Sequence, residues 1–513
     1  MTMRITRRTA LTAVAGLTAL PLDARGQSVP RARTLIIAQT FDPSTLWANG
    51  TTASDNVNVG ACINESLFYV NAATNRTEPL LATELVQEND TRWLIKLRPD
   101  VKFTNGEAMD SDAVVHSIRI FADSRLTPAY ASYAAPVEGA EKVDALTIRL
   151  VTKYPSPTVL LMLSQIYVIP PRYWADVGVN GFGQRPIGTG PFRLTEWQRD
   201  NRVVLDRNPD YWGPRPDGFD RVVWRPVPDE NARAAGLETG EFDIAASLSV
   251  PAAQRLERAR NLKILESPSY RVFHLTLSSL SIHPGPIQDR RVRLAMNHAI
   301  DKQAIIRNLF AGKARALNGQ VLRREQQGFD PSLQDYVFDL ARARALLAEA
   351  GFPNGFETVL KTPSGRFPQD REVAEACVGM LARVGIRCRL ETLESGEYLR
   401  QLRTRELAPV ALIGLAPPDD PDFQVGQYRS DWRYSYVQSA EFDRLIDVAR
   451  REMNPEARAG YYRELMRAMH AEVPLVWLYQ GVDLHGTAAR VSGFAPRGDG
   501  RLPLYGVKMA ART

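Results

Sequence analysis

Six histidines, at 116, 274, 283, 298, 470 and 485, and three cysteines, Cys62, Cys377 and Cys388, are the groups in this 513-residue chain best suited to acid–base, nucleophilic or metal chemistry. Their spacing supports none of it. No HExxH or CxxC pair sets up metal ligands, and no G-x-S-x-G elbow presents a serine. The expectation is therefore no catalytic residue, no metal and no cofactor. An odd number of cysteines leaves at least one unpaired in an oxidising compartment. Cys377 falls in a helical pattern and Cys388 in the strand pattern after it; small buried thiols are expected, with a Cys377–Cys388 bridge as the alternative.

A different kind of signal stands at 186–213, PIGTGPFRLTEWQRDNRVVLDRNPDYWG. Gly188 and Gly190 admit backbone angles closed to other residues, Pro191 fixes the next turn, FRLTEW alternates as a half-buried strand, and RVVLDR answers it as a hairpin partner. This stretch resembles the signature of the extracytoplasmic solute-binding proteins of family 5, the group containing the dipeptide- and oligopeptide-binding receptors of ABC importers. DRRVRLAMNHAIDKQAIIRNLFAGKA resembles the family's second signature. The resemblance covers nearly all of the chain after its first residues and implies a binder rather than an enzyme.

The elements along the chain read as an alternation of strands and helices. TLIIAQT is a strand. RWLIKLRPDVKFTNGEAMDSDAVVHSIRIF reads as a strand, an Asn105-Gly106 turn and a helix capped by Asp110. EKVDALTIRLVTK adds a strand, and the apolar run over 158–170, ended by Pro170-Pro171, is too short to span a membrane. HLTLSS near Phe273 and VPLVWLYQGV are strands, and Asp301 caps the second helix of the second signature, which stops at Gly312.

The resemblance implies an α/β fold of the periplasmic binding protein type II class, two lobes around a ligand cleft with an extra domain. It places a discontinuous domain I at 27–62, 186–266 and 481–513, domain II at 63–185 and domain III at 267–480.

Residues 1–26 combine a basic start, a short apolar run and small residues at Ala24 and Gly26, as a cleaved export signal does. Arg7-Arg8 resembles a twin-arginine signal, with the Sec route as the alternative. No cysteine marks a lipid anchor, so a soluble periplasmic protein is expected. The chain carries a formal net charge of +6, and the first 26 residues hold a net +3 of it. The remainder is nearly balanced and lacks the basic face that nucleic acid requires; DRRVR at 289–293 reads as a solvated helix start.

In the family's peptide binders one arginine pairs with the ligand carboxylate and one aspartate with its ammonium, and two parallel N–H bonds suit a guanidinium to the former. TPSGRFPQDREVAEA aligns with the arginine loop, placing Arg366 in that role with Phe367 beside it. The acid loop departs from the pattern. GLAPPDDPDFQVGQY keeps Asp420-Pro421 but sets Pro417 where the ammonium partner belongs. Asp419 is the substitute candidate, followed by Asp420. Gly50, Thr51 and Thr52, in a loop matching one that approaches the ligand, are candidate donors, with ordinary turn chemistry as the alternative; Trp432 and Tyr434 are aromatic candidates.

The resulting expectation is a monomeric periplasmic component of an ABC importer that binds a small carboxylate-bearing solute, peptide or peptide-like, and passes it to permease subunits in the inner membrane. The alternatives are a ligand-sensing periplasmic receptor and a secreted hydrolase.

Overall fold

The structure, a computed structural model, describes residues 33–511. The export signal expected at 1–26 lies outside the described residues.

An eleven-stranded mixed sheet is the largest among the described residues. From one edge its order is Phe192–Gln198, Arg202–Arg207, Arg221–Pro226, Thr34–Gln39, Ile244–Ala245, Leu475–Ala488, Leu262–Leu277, Val410–Leu415, Phe356–Pro363 and Ile386–Leu393, with Arg315–Ala316 beside Leu475–Ala488. Near the first edge Thr34–Gln39 lies parallel to Arg221–Pro226, and near the other Phe356–Pro363 lies parallel to Ile386–Leu393. Parallel neighbours need crossovers, and the helices Glu230–Glu238 and Asp370–Ala382 are among the elements that provide them.

Two strands, Leu262–Leu277 and Leu475–Ala488, belong to both halves. They pair antiparallel from Leu262 opposite Ala488 to Thr276 opposite Leu475, with register breaks between Pro268 and Val272 and between Phe273 and His274. Proline has no N–H for the ladder, and an irregular register bends the strand that carries it. The break therefore falls where the sheet passes from one half to the other. Both strands are longer than the sequence suggests, because SPSYR between 267 and 271 breaks the apolar alternation that marks a strand.

A separate antiparallel sheet, ordered Ala82–Asn89, Arg92–Leu97, Thr147–Thr152 and Val137–Asp144, is covered by the helix Ser111–Ala122. Trp93, Ile95, Ile148 and Leu150 supply the buried face of the sheet, and Val114, Ile118 and Phe121 that of the helix. Asp110 caps this helix by accepting from the Ala113 N–H at 3.1 Å, and Asp301 caps Lys302–Phe310 in the same way.

The apolar cores are distinct. One gathers Leu35, Ile37, Leu205, Val222 and Trp224, one fills the four-stranded sheet, and a third joins Val292, Met296, Leu346, Leu360, Leu412 and Leu478. Phe423 crosses from the C-terminal region into the core of the four-stranded sheet and meets Tyr133 with ring centroids 4.7 Å apart.

Two local readings change, and a third, that the thiols are free rather than bridged, holds. Pro170-Pro171 ends the apolar run but also starts the helix Pro171–Gln184, since a first-turn proline sacrifices no helical hydrogen bond. Arg293 is not solvated: its buried guanidinium donates to the carbonyls of Val473, Ile287, Gln288 and Glu472, joining helix Arg290–Ala299 to the end of Pro455–Glu472. All three cysteines are free thiols, Cys62 and Cys377 buried and Cys388 partly so. No helix among the described residues is long and apolar enough to cross a membrane.

Candidate functional site

The stretch at 186–213 builds a joint. Neither Gly188 nor Gly190 adopts a positive φ. Their need for glycine is close approach: a Cβ on Gly188 would lie 2.0 Å from the Ile63 carbonyl oxygen, and one on Gly190 would lie 2.7 Å from those of Cys62 and Ile63. Held against the end of helix Ser54–Ile63, the stretch encloses Glu65. Thr189 Oγ1 and Trp212 Nε1 donate to one carboxylate oxygen, both at 2.8 Å, and the Tyr211 hydroxyl to the other at 2.7 Å, with the Tyr505 hydroxyl at 3.4 Å. Burial pushes the Glu65 carboxyl up to about 7 while these neutral donors oppose the rise.

Candidate binding groups converge instead on the register break. Arg271, between Tyr270 and Val272, donates from Nη1 to the Gly414 carbonyl at 3.0 Å and lies over the Phe367 ring, 5.0 Å from its centroid. Arg366 faces the same ring at 5.5 Å. Phe367 is fixed edge-on by Phe273 at 5.4 Å and Tyr398 at 6.5 Å. The loop carrying Arg366 is built around the buried carboxylate of Asp370, which accepts the backbone N–H groups of Gly365, Arg366, Phe367 and Arg371 at 2.9–3.1 Å. The Arg366 side chain is exposed.

Among the described residues neither Arg271 nor Arg366 forms an ion pair. Burial and the positive charge of Arg366 pull the Arg271 guanidinium below its usual range, partly countered by Asp483. Asp483, from the facing long strand, is pushed up to about 6 by burial, with the Ser269 hydroxyl and Arg271 opposing. Two guanidiniums near one aromatic ring, at the junction of two halves, can take a carboxylate through paired N–H bonds.

The acid loop is engaged by the protein itself. Asp419 pairs with Arg323 and accepts from the Asn75 side-chain amide, and the Tyr270 hydroxyl donates to Asn75 Oδ1 at 2.5 Å. Arg323 lies over the Tyr270 ring at 4.4 Å. Asp420 is held by Arg458 through bonds of 2.9 and 2.6 Å and caps the helix Pro421–Val425 by accepting from the Asp422 N–H at 2.9 Å. Asp422 pairs with Arg450 at 3.0 Å.

In the loop at 46–52, the Gly50 N–H donates to the Trp47 carbonyl at 2.9 Å and Thr51 Oγ1 accepts from the Ala53 N–H at 3.2 Å. The Thr51 carbonyl accepts from the Tyr130 hydroxyl at 3.3 Å, and Thr52 is exposed. The Gly50 N–H is thus used in turn chemistry, whereas the Thr51 hydroxyl accepts there and keeps its own hydrogen to donate.

A crevice of about 200 Å³ lies between Tyr154 and Ser156 on one side and Phe423, Trp432 and Arg450 on the other. Its arginines are already matched, Arg429 to Asp431 and Arg450 to Asp422, so it lacks the unbalanced charge that distinguishes the Arg271–Arg366 pair. Trp432 packs edge-on to Tyr434 at 5.8 Å and donates to Gln427 at 3.0 Å.

Sequence reasoning missed Arg271, Asp483, Arg323 and Asn75. One sign of the first is visible: a lone arginine directly before the apolar run VFHLTL, where the strand goes from exposed to buried.

Residues 76–436 match the sequence model of the bacterial extracellular solute-binding proteins, family 5 Middle. The glutathione-binding protein GsiB of Shigella flexneri serotype 5b is 28% identical over 335 residues, 65% of this chain and 64% of that protein, so the match spans just under two thirds of this relative. Among solved structures, the periplasmic binding protein DppA from Helicobacter pylori in complex with the peptide STSA aligns with a TM-score of 0.80 at 24% identity, over 93% of this chain and 98% of that one. The binding protein AgaA from A. tumefacien R10 in complex with agropinic acid aligns with a TM-score of 0.80 at 22% identity, over 94% of this chain and 99% of that one. At these identities the two structures establish the fold, the α/β fold of type II periplasmic binding proteins.

Proposed function

The chain belongs to family 5 of the bacterial extracellular solute-binding proteins, and from that premise we propose that it is the periplasmic substrate-binding component of an ABC importer, capturing a small carboxylate-bearing solute, peptide or peptide-like, as two lobes close. The observation that carries this reading is the Arg271–Arg366 pair, which shares the Phe367 ring and forms no ion pair among the described residues. The register break in the two shared strands supports hinge motion, because a bend there swings one half of the sheet against the other without breaking a core. The relatives' ligands point the same way: GsiB is named for glutathione, and the DppA and AgaA structures hold a peptide and agropinic acid.

In this reading the division into domains I, II and III follows the separate cores, and the protein acts as an exported monomer that hands its solute to permease subunits in the inner membrane. The twin-arginine pair at Arg7-Arg8 is its proposed export route. No catalytic step is assigned.

The test is native mass spectrometry of the protein purified from periplasm without denaturation, with release and accurate mass of what is bound. A carboxylate-bearing compound is expected, lost in Arg271→Ala and Arg366→Ala. A neutral or cationic compound retained by both variants would overturn the reading.

A further inference from the structure

The charges around the register break do not balance. Asp419 is committed to Arg323, Asp420 to Arg458, Asp422 to Arg450 and Asp499 to Arg497. Each is an acid already matched by a guanidinium of the protein. Neither Arg271 nor Arg366 forms an ion pair, and the one acid that faces them, Asp483, faces Arg271 alone, so two cations stand against one acid. A ligand ammonium placed beside them would meet two like charges and would have to take an acid from an arginine.

Asp419 shows why that exchange fails. Its partner Arg323 has a side chain only 2% exposed, covered by the Tyr270 ring and bonded to the Tyr270 carbonyl at 3.1 Å. Asn75 occupies the other carboxylate oxygen and is itself held by the Tyr270 hydroxyl. Releasing Asp419 to an incoming ammonium would leave a buried guanidinium unpaired. The acid that remains is Asp483, which already faces Arg271 and the Ser269 hydroxyl, so an ammonium there would also have to displace a guanidinium.

Resting on the carboxylate reading of the cleft, we infer that the solute presents a carboxylate and no free ammonium: an N-acylated peptide, or a conjugate whose nitrogen has been turned into an amide. The Arg323 guanidinium takes the place at Asp419 that a ligand cation would need, so the site rejects zwitterions and admits blocked anions.

Two dipeptide libraries of identical sequences, one with free amino termini and one N-acetylated, test this when offered separately to the purified protein. Retained compounds are read by native mass spectrometry and their affinities by calorimetry. The acetylated library is expected to be retained, each bound member at least about tenfold tighter than its free counterpart. Free-amine peptides bound equally or more tightly would overturn the inference while leaving the carboxylate reading intact. Retention from neither library would overturn the carboxylate reading itself. In Arg323→Gln, Asp419 loses its guanidinium, and the preference is expected to move toward free-amine peptides by about tenfold. An unchanged preference in a folded variant would overturn the role given to the Arg323–Asp419 pair.

Discussion

The joint around Glu65 and the cleft around Arg271 bury charge in opposite ways. At the joint one acid, 1% exposed, is surrounded by a threonine, two tyrosines and a tryptophan, all neutral donors whose positions are set by close-packed glycines. Around Arg271 two guanidiniums share an aromatic ring, and one acid, Asp483, faces only the first of them. The first arrangement is complete and stabilises a junction. The second leaves an electrostatic imbalance that only a further negative charge relieves, as a binding site requires and a structural joint avoids.

Substitutions at the two places should therefore fail in different assays. The largest effect is expected for Gly188→Ala, because a Cβ at 2.0 Å from the Ile63 carbonyl forces the backbone apart: a loss of more than about 4 kcal/mol in urea unfolding. Next come the cleft arginines. Arg271→Ala should weaken solute binding by about 3 kcal/mol and the more exposed Arg366→Ala by about 2 kcal/mol in calorimetry. Arg366→Ala should leave the Tm of the unliganded protein unchanged, since it removes an exposed cation without an ion pair, whereas Arg271→Ala also gives up the bond to the Gly414 carbonyl and should lower the Tm only slightly. A fall in unliganded Tm at Arg271 that matches the loss of binding would make the arginine structural and break the comparison.

Glu65 sharpens it through pH. Its carboxyl stands at about 7 folded against 4.5 in the free chain. The native state keeps its proton over that window while the unfolded chain releases it, so stability falls as pH rises from about 4.5 to about 7, by about 3 kcal/mol. Glu65→Gln should flatten that slope in denaturant titrations at several pH values. The smallest effect is expected at Asp483. Its ionisation as pH rises through about 6 adds a negative charge beside Arg271, so affinity for an anionic solute should fall by about threefold, and Asp483→Asn should remove the decline.

What the sequence made legible was local. Asp110 and Asp301 cap helices because a cap needs only its own N–H three residues on, and the hairpin Phe192–Gln198 with Arg202–Arg207 needs only alternation and a short turn. The family resemblance extended this to the whole α/β architecture. The binding groups depend on longer range. Arg271 and Asp483 are 212 residues apart and face each other only because two long strands pair with broken register. Asp419 and Asn75 are separated by 344 positions, and no spacing rule connects a hairpin tip to an acid loop. The glycines at 188 and 190 were noticed for backbone freedom, yet their use is steric, against a carbonyl more than a hundred positions earlier.

The hairpin between Phe68–Val70 and Thr77–Pro79 has one more consequence. Its exposed tip residue, Asn75, touches both Asp419 and Tyr270, so parting of the lobes would change its surroundings more abruptly than those of a residue inside either core. The three native thiols would not compete with a label there, since burial pushes each of them up to about 12. A fluorescent dye on Asn75→Cys would turn the protein into an optical sensor, reporting its own solute by colour or intensity without any second component.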